Sequence, residues 1–264
     1  MDKSLKNFQQ LLEIMDKLRQ DCPWDREQTM LSLRNNTIEE CFELTEAILK
    51  EQMPAIKEEL GDLLLHIVFY AKIADEKGAF DLEDVAKGLN DKLIYRHPHV
   101  FGDVVAEDTK KVMQNWEALK AKKKHEGGVL GGVPRGMPAL PKAFRIGQKA
   151  ASAGFDWAKK EDVWDKVKEE ITEVEQEMRS ETKKNDKNHA ALESEFGDLF
   201  FALTNAARLY GVDPEAALER TNQKFTHRFE YIEHCAKEKN VSLQEMTLQE
   251  MDQCWNQAKE MEVK

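Results

Sequence analysis

The acidic residues of this chain are spaced so that they can act together. Glu169-Glu170-x-x-Glu173 is followed by Glu195-x-x-Asp198, and the same arrangement stands earlier as Glu39-Glu40-x-x-Glu43 and Glu59-x-x-Asp62. A helix turns about 100° per residue, so Glu170 falls beside an apolar stripe of Trp164, Val167, Ile171, Val174 and Met178. Glu173 sits about 60° further round, and Glu169 points nearly opposite the stripe. On a second helix, Glu195 flanks a stripe of Leu192, Phe196, Leu199, Leu203 and Ala206, with Asp198 about 60° beyond. When two such helices pack, their flanks meet and four carboxylates converge. Bare, they would repel and raise one another's pKa values. A hard divalent cation relieves that repulsion, and an all-oxygen donor set favours Mg²⁺, Mn²⁺ or Ca²⁺. A solvated acidic face laced by i,i+4 pairs such as Lys166–Glu170 is the competing reading. In the first half, Thr37-x-x-Glu40 also fits a helix-capping box.

Cations and tryptophans follow each acidic set. Lys224 and Arg228 are spaced i,i+4, as are Trp255 and Lys259, and the earlier half repeats them as Lys92/Arg96 and Trp116/Lys120. A guanidinium and an ammonium on one helix face suit a phosphate chain, and an indole face can stack on a base. No GxGxxG and no GxxxxGK[ST] occurs, so the dinucleotide and P-loop folds are not supported.

The elements that must carry these residues read as helices throughout. No run of alternating β-branched residues is present, and the 13 glycines and 7 prolines of the 264 residues are clustered. Residues 127–141 hold five of the glycines and three of the prolines, which marks a linker. We place an N-terminal helical domain at 1–121, a linker at 122–141 and a C-terminal helical domain at 142–264. The fold class is all-α, as two tandem units of four or five helices. Asp213-Pro214 reads as an N-cap with proline at the first helical position, Gly211 as the end of the preceding helix, and Thr247-x-x-Glu250 as a capping box. Four polar pairs recur in one order, displaced by 130 (Glu40 to Glu170) to 139 (Trp116 to Trp255) positions, which is the signature of an internal duplication.

Composition narrows the function classes. With 39 Lys and Arg against 50 Asp and Glu, the net charge is −11, which disfavours a nucleic-acid backbone as partner. The longest apolar stretch, 63–71, is about half a bilayer crossing, and the first twenty residues lack a signal-peptide core, so no membrane partner and a cytoplasmic location are expected. Cys22, Cys41, Cys235 and Cys254 form no CxxC pair and read as free thiols. A non-catalytic helical dimerisation or regulatory protein is the alternative to an enzyme. A ferritin-like iron site is disfavoured because neither ExxD motif supplies the needed histidine.

The run EExxE, a spacer, then ExxD resembles the all-α nucleoside triphosphate pyrophosphohydrolases, and the chain is similar to the two-domain MazG family from end to end. Cys22-Pro23-Trp24-Asp25, Gly61-Asp62-Leu63-Leu64, Arg96-His97-Pro98-His99-Val100-Phe101 and Gly154-Phe155-Asp156-Trp157 carry the likeness beyond the acids. It implies hydrolysis of NTPs and dNTPs to monophosphate and pyrophosphate, with Mg²⁺ (or Mn²⁺) and a homodimer. It implies Glu170, Glu173, Glu195 and Asp198 as metal ligands, and Glu169 or Glu173 as the residue orienting the attacking water. Lys166, Lys168, Glu169, Asp198, Lys224, Arg228, Trp255 and Lys259 would contact substrate, with Trp255 on the base or ribose. In such proteins the C-terminal copy is usually the catalytic one, while Glu40, Glu43, Glu59, Asp62, Lys92, Arg96, Trp116 and Lys120 form a possible second site. One departure stands out: Ser194 occupies the position matching Glu58.

Overall fold

The computed structural model describes residues 3–104, 108, 112, 116, 119, 128–180 and 186–262, with the side chains of 180 and 186–188 left aside. No strand occurs among them, and the chain divides into two compact units, Met1–Lys122 and Lys123–Lys264. Among the described residues, no helix is long and apolar enough to cross a membrane.

The first unit contains α1 (Lys3–Asp21), α2 (Pro23–Glu27), α3 (Met30–Leu49), α4 (Met53–Glu76), α5 (Leu82–Arg96) and α6 (Pro98–Phe101). Helices α3 and α4 form its central pair, and Met15, Leu33, Val68, Phe69 and Ile73 close the core beneath them. Arg19 ties α1 to α4 through Glu76 (2.9 and 2.5 Å) and reaches back to the carbonyls of Asp25 and Gln28.

The start of α3 corrects one expectation. Thr29, not Thr37, is its N-cap, in a reciprocal box with Ser32. Thr37 lies inside the helix, where its hydroxyl donates to the Leu33 carbonyl and meets the Tyr70 hydroxyl at 2.6 Å. Glu40 is therefore no capping residue.

The second unit contains α7 (Ala139–Ser152), α8 (Val163–Ser180), α9 (Asp186–Leu209), α10 (Pro214–Glu238) and α11 (Leu248–Glu262). Helix α7 begins at Ala139, so the last three residues assigned to the linker are helical. Lys142 and Lys149 of α7 donate to the carbonyls of Arg135 (2.8 Å) and Val129 (3.1 Å), holding the Gly/Pro-rich stretch against the helix. Asp213 caps α10 through the Ala216 N–H, Gly211 takes φ +71° after α9, and Thr247 and Glu250 form the expected box before α11. Two cores result. Val163 and Val167 pack with Ala202 and Ala206 between α8 and α9, and Ile232, Cys235, Ala236, Met246 and Cys254 pack between α10 and α11. All four cysteines are free thiols.

The inward stripe of α8 is rotated from the one expected. Val163, Val167, Glu170 and Val174 are buried, whereas Trp164, Ile171 and Met178 are exposed. On α9 the inward set includes Ala202, Thr204, Asn205 and Ala206, while Phe196, Phe200 and Leu203 face outward. Each helix therefore carries a second apolar stripe that is exposed among the described residues.

Candidate functional site

The rotation of α8 carries Glu170 off the flank and into the interface with α9. Only 4% of it is exposed, and one oxygen each from Glu170, Glu173 and Glu195 lie within 4.8 Å of one another. Lys166 Nζ binds Glu170 Oε1 at 2.6 Å and Glu169 Oε1 at 2.9 Å. Glu170 Oε2 is buried and meets no donor. Leaving a carboxylate oxygen so placed costs free energy unless a ligand completes it. Burial, a hydrogen bond that the Glu173 carboxyl donates to Glu170, and the Glu170 charge hold the Glu173 carboxyl above the usual range. The two carboxylates hold Lys166 above its ordinary value.

A cavity of ≈ 840 Å³ opens over this cluster. Lys166, Glu170, Glu173, Glu195 and Asp198 line it together with Phe155, Asp156, Trp157, Phe201, Ala202 and Asn205, and Trp157 also packs against the Val163, Val167, Ala202 and Ala206 core. Ala202 and Asn205 stand four and seven residues beyond Asp198 on α9. That i, i+4, i+7 relation is the sequence signal that points to them. Phe155 to Trp157 belonged to a recognised motif, but nothing in their types announced a site.

Other sequence candidates fall outside this cavity. Glu169 is exposed and held by Lys166, and Lys168 is exposed beside Asp165 at 3.2 Å. Lys224, Arg228, Trp255 and Lys259 do not line it either. Arg228 lies over the Trp255 ring at 5.4 Å and is gripped by Glu262 at 2.6 Å, with Lys224 and Lys259 exposed nearby on α10 and α11.

The first unit repeats the pattern. Oxygens of Glu40, Glu43 and Glu59 approach within 4.8 Å, and Arg96 lies over Trp116 at 5.4 Å. Burial and the charges of Asp62, Glu43 and Glu59 raise the Glu40 carboxyl. Burial and Glu43 raise Glu59 in the same way. Lys92 is exposed on α5, and Lys120 lies outside the described residues.

These features define a duplicated helical bundle with one carboxylate centre per repeat. Residues 28–101 and again 159–232 match the MazG nucleotide pyrophosphohydrolase domain. The chain is 43% identical over 256 residues to a nucleoside triphosphate pyrophosphohydrolase/pyrophosphatase MazG of Thermotoga maritima, covering 96% of this chain and 95% of that protein. It is 40% identical over 265 residues to the nucleoside triphosphate pyrophosphohydrolase of Escherichia coli K12, covering 98% and 99%. A Bacillus subtilis protein named YabN is 45% identical over 243 residues, 91% of this chain and 49% of its own length. The chain belongs to the MazG family.

Proposed function

We propose that this protein is a nucleoside triphosphate pyrophosphohydrolase that cleaves between the α- and β-phosphates, with its chemistry in the second repeat. The family and its full-length relatives support the activity. The observation that supports the place is the buried, donorless Glu170 Oε2 among three converging carboxylates under an open cavity.

The donor set there is entirely oxygen, which fits a hard cation such as Mg²⁺ or Mn²⁺ held by Glu170, Glu173, Glu195 and Asp198. Such an ion, when bound, would neutralise charge on the phosphate oxygens and make a nearby water more acidic. Glu173 lies at the cavity face beside Glu170 and Glu195, so it is placed to take the proton of a water that attacks the α-phosphorus. Lys166 supplies positive charge to the cluster and holds Glu170 in position. Lys224, Arg228 and Lys259 would take the leaving pyrophosphate, and Arg228 must then give up Glu262, whose carboxylate already occupies the guanidinium as a phosphate would. The uncovered stripes of α8 and α9, with Ile171 and Phe200 on them, support a homodimer built on this face.

Full-length protein incubated with an NTP mixture and Mg²⁺ should release pyrophosphate and monophosphate, chelation should stop it, and Glu173→Ala should abolish it while Glu43→Ala only lowers it. Release of orthophosphate, or turnover that survives Glu173→Ala and is lost in Glu43→Ala, would refute the assignment.

A further inference from the structure

Two of the four cysteines share one core. Cys235 on α10 and Cys254 on α11 are 7% and 5% exposed, and both pack with Ile232, Ala236 and Met246. Small side chains bring the two helices close there: Ala236 follows Cys235 and Ala258 lies one turn beyond Cys254, each of them buried. A disulfide joins Cα atoms about 4.4–6.8 Å apart, a separation that facing positions on closely packed helices supply. The two thiols are hydrogen-bonded neighbours, and burial, followed by the Cys254 thiol, pushes the Cys235 thiol up to about 11. Cys22 and Cys41 lie in the other unit, half-buried and exposed. Besides this core, α11 is tied to α10 by Arg228–Glu262 at 2.6 Å near one end, and to Lys239, the C-cap of α10, by Glu250 at 3.7 Å near the other. The first of these ties is the clamp that a phosphate must displace to reach Arg228.

We propose that Cys235 and Cys254 close into a reversible disulfide when a peroxide oxidises them, and that this staple locks α11 on α10 with the Arg228–Glu262 clamp shut. One sulfur, as thiolate, attacks the peroxide O–O bond and becomes a sulfenic acid, with release of one water. The second sulfur attacks the sulfenic sulfur, forms the S–S bond and releases a second water. Two electrons pass from the sulfurs to the peroxide, and the two thiol protons leave in the waters. A small dithiol reverses the bond by exchange. Burial keeps the Cys235 sulfur protonated while the core is closed, so reaction waits for α11 to part from α10. The lock is therefore slower than reaction at the exposed Cys41, and it engages under sustained oxidation. A shut clamp denies Arg228 to the leaving pyrophosphate, so the lock acts on substrate affinity. That second half rests on the pyrophosphohydrolase reading, whereas closure of the disulfide does not.

The test uses the full-length chain carrying Cys22→Ser and Cys41→Ser, so that only the pair can react. After hydrogen peroxide in native buffer, its intact mass should fall by two hydrogens, and non-reducing peptide mapping should recover positions 235 and 254 in one linked species. Dithiothreitol should restore the starting mass. Cys235→Ala and Cys254→Ala, each added to that background, should give no link, with circular dichroism melting to show that each remains folded. The linked protein should melt higher than its reduced form, because a closed loop constrains the unfolded chain. Its KM for ATP with Mg²⁺ should rise about two- to fivefold, the worth of an ion pair held shut, and should return with dithiothreitol. Free thiols at both positions after peroxide, or a link that forms only in denaturing urea, would overturn the proposal. A linked protein with unchanged KM would overturn the lock. A chain that links but turns over no NTP would uphold the disulfide and refute the pyrophosphohydrolase reading instead.

Discussion

Gly147 has no room for a methyl group, and what stands in the way makes the consequence calculable. It lies in the interior of α7, where glycine to alanine ordinarily gains about 1 kcal/mol. Here the new Cβ would meet Asn205 Oδ1 at 2.4 Å, Arg208 Nε at 3.0 Å and Arg208 Cδ at 3.3 Å. Asn205 is 3% exposed and the Arg208 side chain 11%, so neither can swing into solvent without losing its partners. Overpacking of this kind costs about 1–3 kcal/mol. Breaking the Arg208–Asn205 bond, with one charged partner, adds about 1.5–3 kcal/mol. Set against the helix gain, Gly147→Ala should destabilise the second unit by about 1.5–5 kcal/mol. Urea or thermal unfolding would measure this, with Gly88→Ala as the control. Gly88 lies within α5 and a Cβ there meets nothing within 4 Å, so that change should be neutral or mildly stabilising. A Gly147→Ala protein as stable as wild type would show that Asn205 and Arg208 are not held as described.

Three further outcomes follow from other contacts. Arg208 holds the Asp156 carboxyl below its ordinary value of 3.8, so the bridge stabilises fully above that pH and fades as pH falls through the depressed folded value. Asp156→Asn should therefore be less stable than wild type at pH 6 by about 1–2 kcal/mol, and the two unfolding curves should converge in acid; a pH-independent gap would refute the linkage. Ala202→His would place in the cavity the side chain that the first repeat carries at the matching position, His66. It should lower kcat/KM at least about tenfold with little change in helical circular dichroism, and full activity would mean that the cavity is not where substrate binds. Glu262→Gln should free Arg228 and lower KM for NTP about two- to fivefold, more so at low salt; a raised KM would show that Glu262 supports the site rather than competing for it.

Much of the centre was legible because carboxylate spacing survives small errors of helix phase. Glu170, Glu173 and Glu195 converge although the apolar stripe beside them was misread. The error came from weighting bulk. Trp164, Ile171 and Met178 are larger than Val163 and Val167, and a helix with two apolar faces does not declare which one its own chain buries. Thr37-x-x-Glu40 misled for a related reason, since a capping pattern inside a continuing helix has no free N–H groups to cap. The cations were correctly paired on their helices, but sequence order says nothing about distance between elements. It could not show that Arg228 rests on Trp255 and Glu262 rather than on the carboxylate cavity. The Phe155–Asp156 loop was hidden because a reversal at Gly154 and a clamp from Arg208, fifty-two positions away from Asp156, place it jointly.

The two repeats share their carboxylates and differ in what surrounds them, which bears on why chemistry is assigned to the second. Lys166 has Asn36 at its matching position, so the first cluster lacks the ammonium that neutralises Glu170. Both Glu40 and Glu59 are accordingly pushed upward by burial and by neighbouring acids, with no cation among the causes. Glu173 in the second cluster is raised as well, but there the Lys166 charge works against the rise. Behind the cluster, His66 fills the place of Ala202. It is buried, its Nδ1 meets no partner, and burial lowers its pKa against the pull of Asp62, so it stands there as a neutral ring. Phe69 takes the place of Asn205, and Lys72, the counterpart of Arg208, turns to Asp16 at 2.7 Å. The first repeat has thus kept the acids but carries the larger side chains His66 and Phe69 where the second lines its cavity with Ala202 and Asn205. Duplication preserved the motif in both copies, whereas room for a nucleoside depends on residues outside the motif, which is why the acidic signature alone could not separate them.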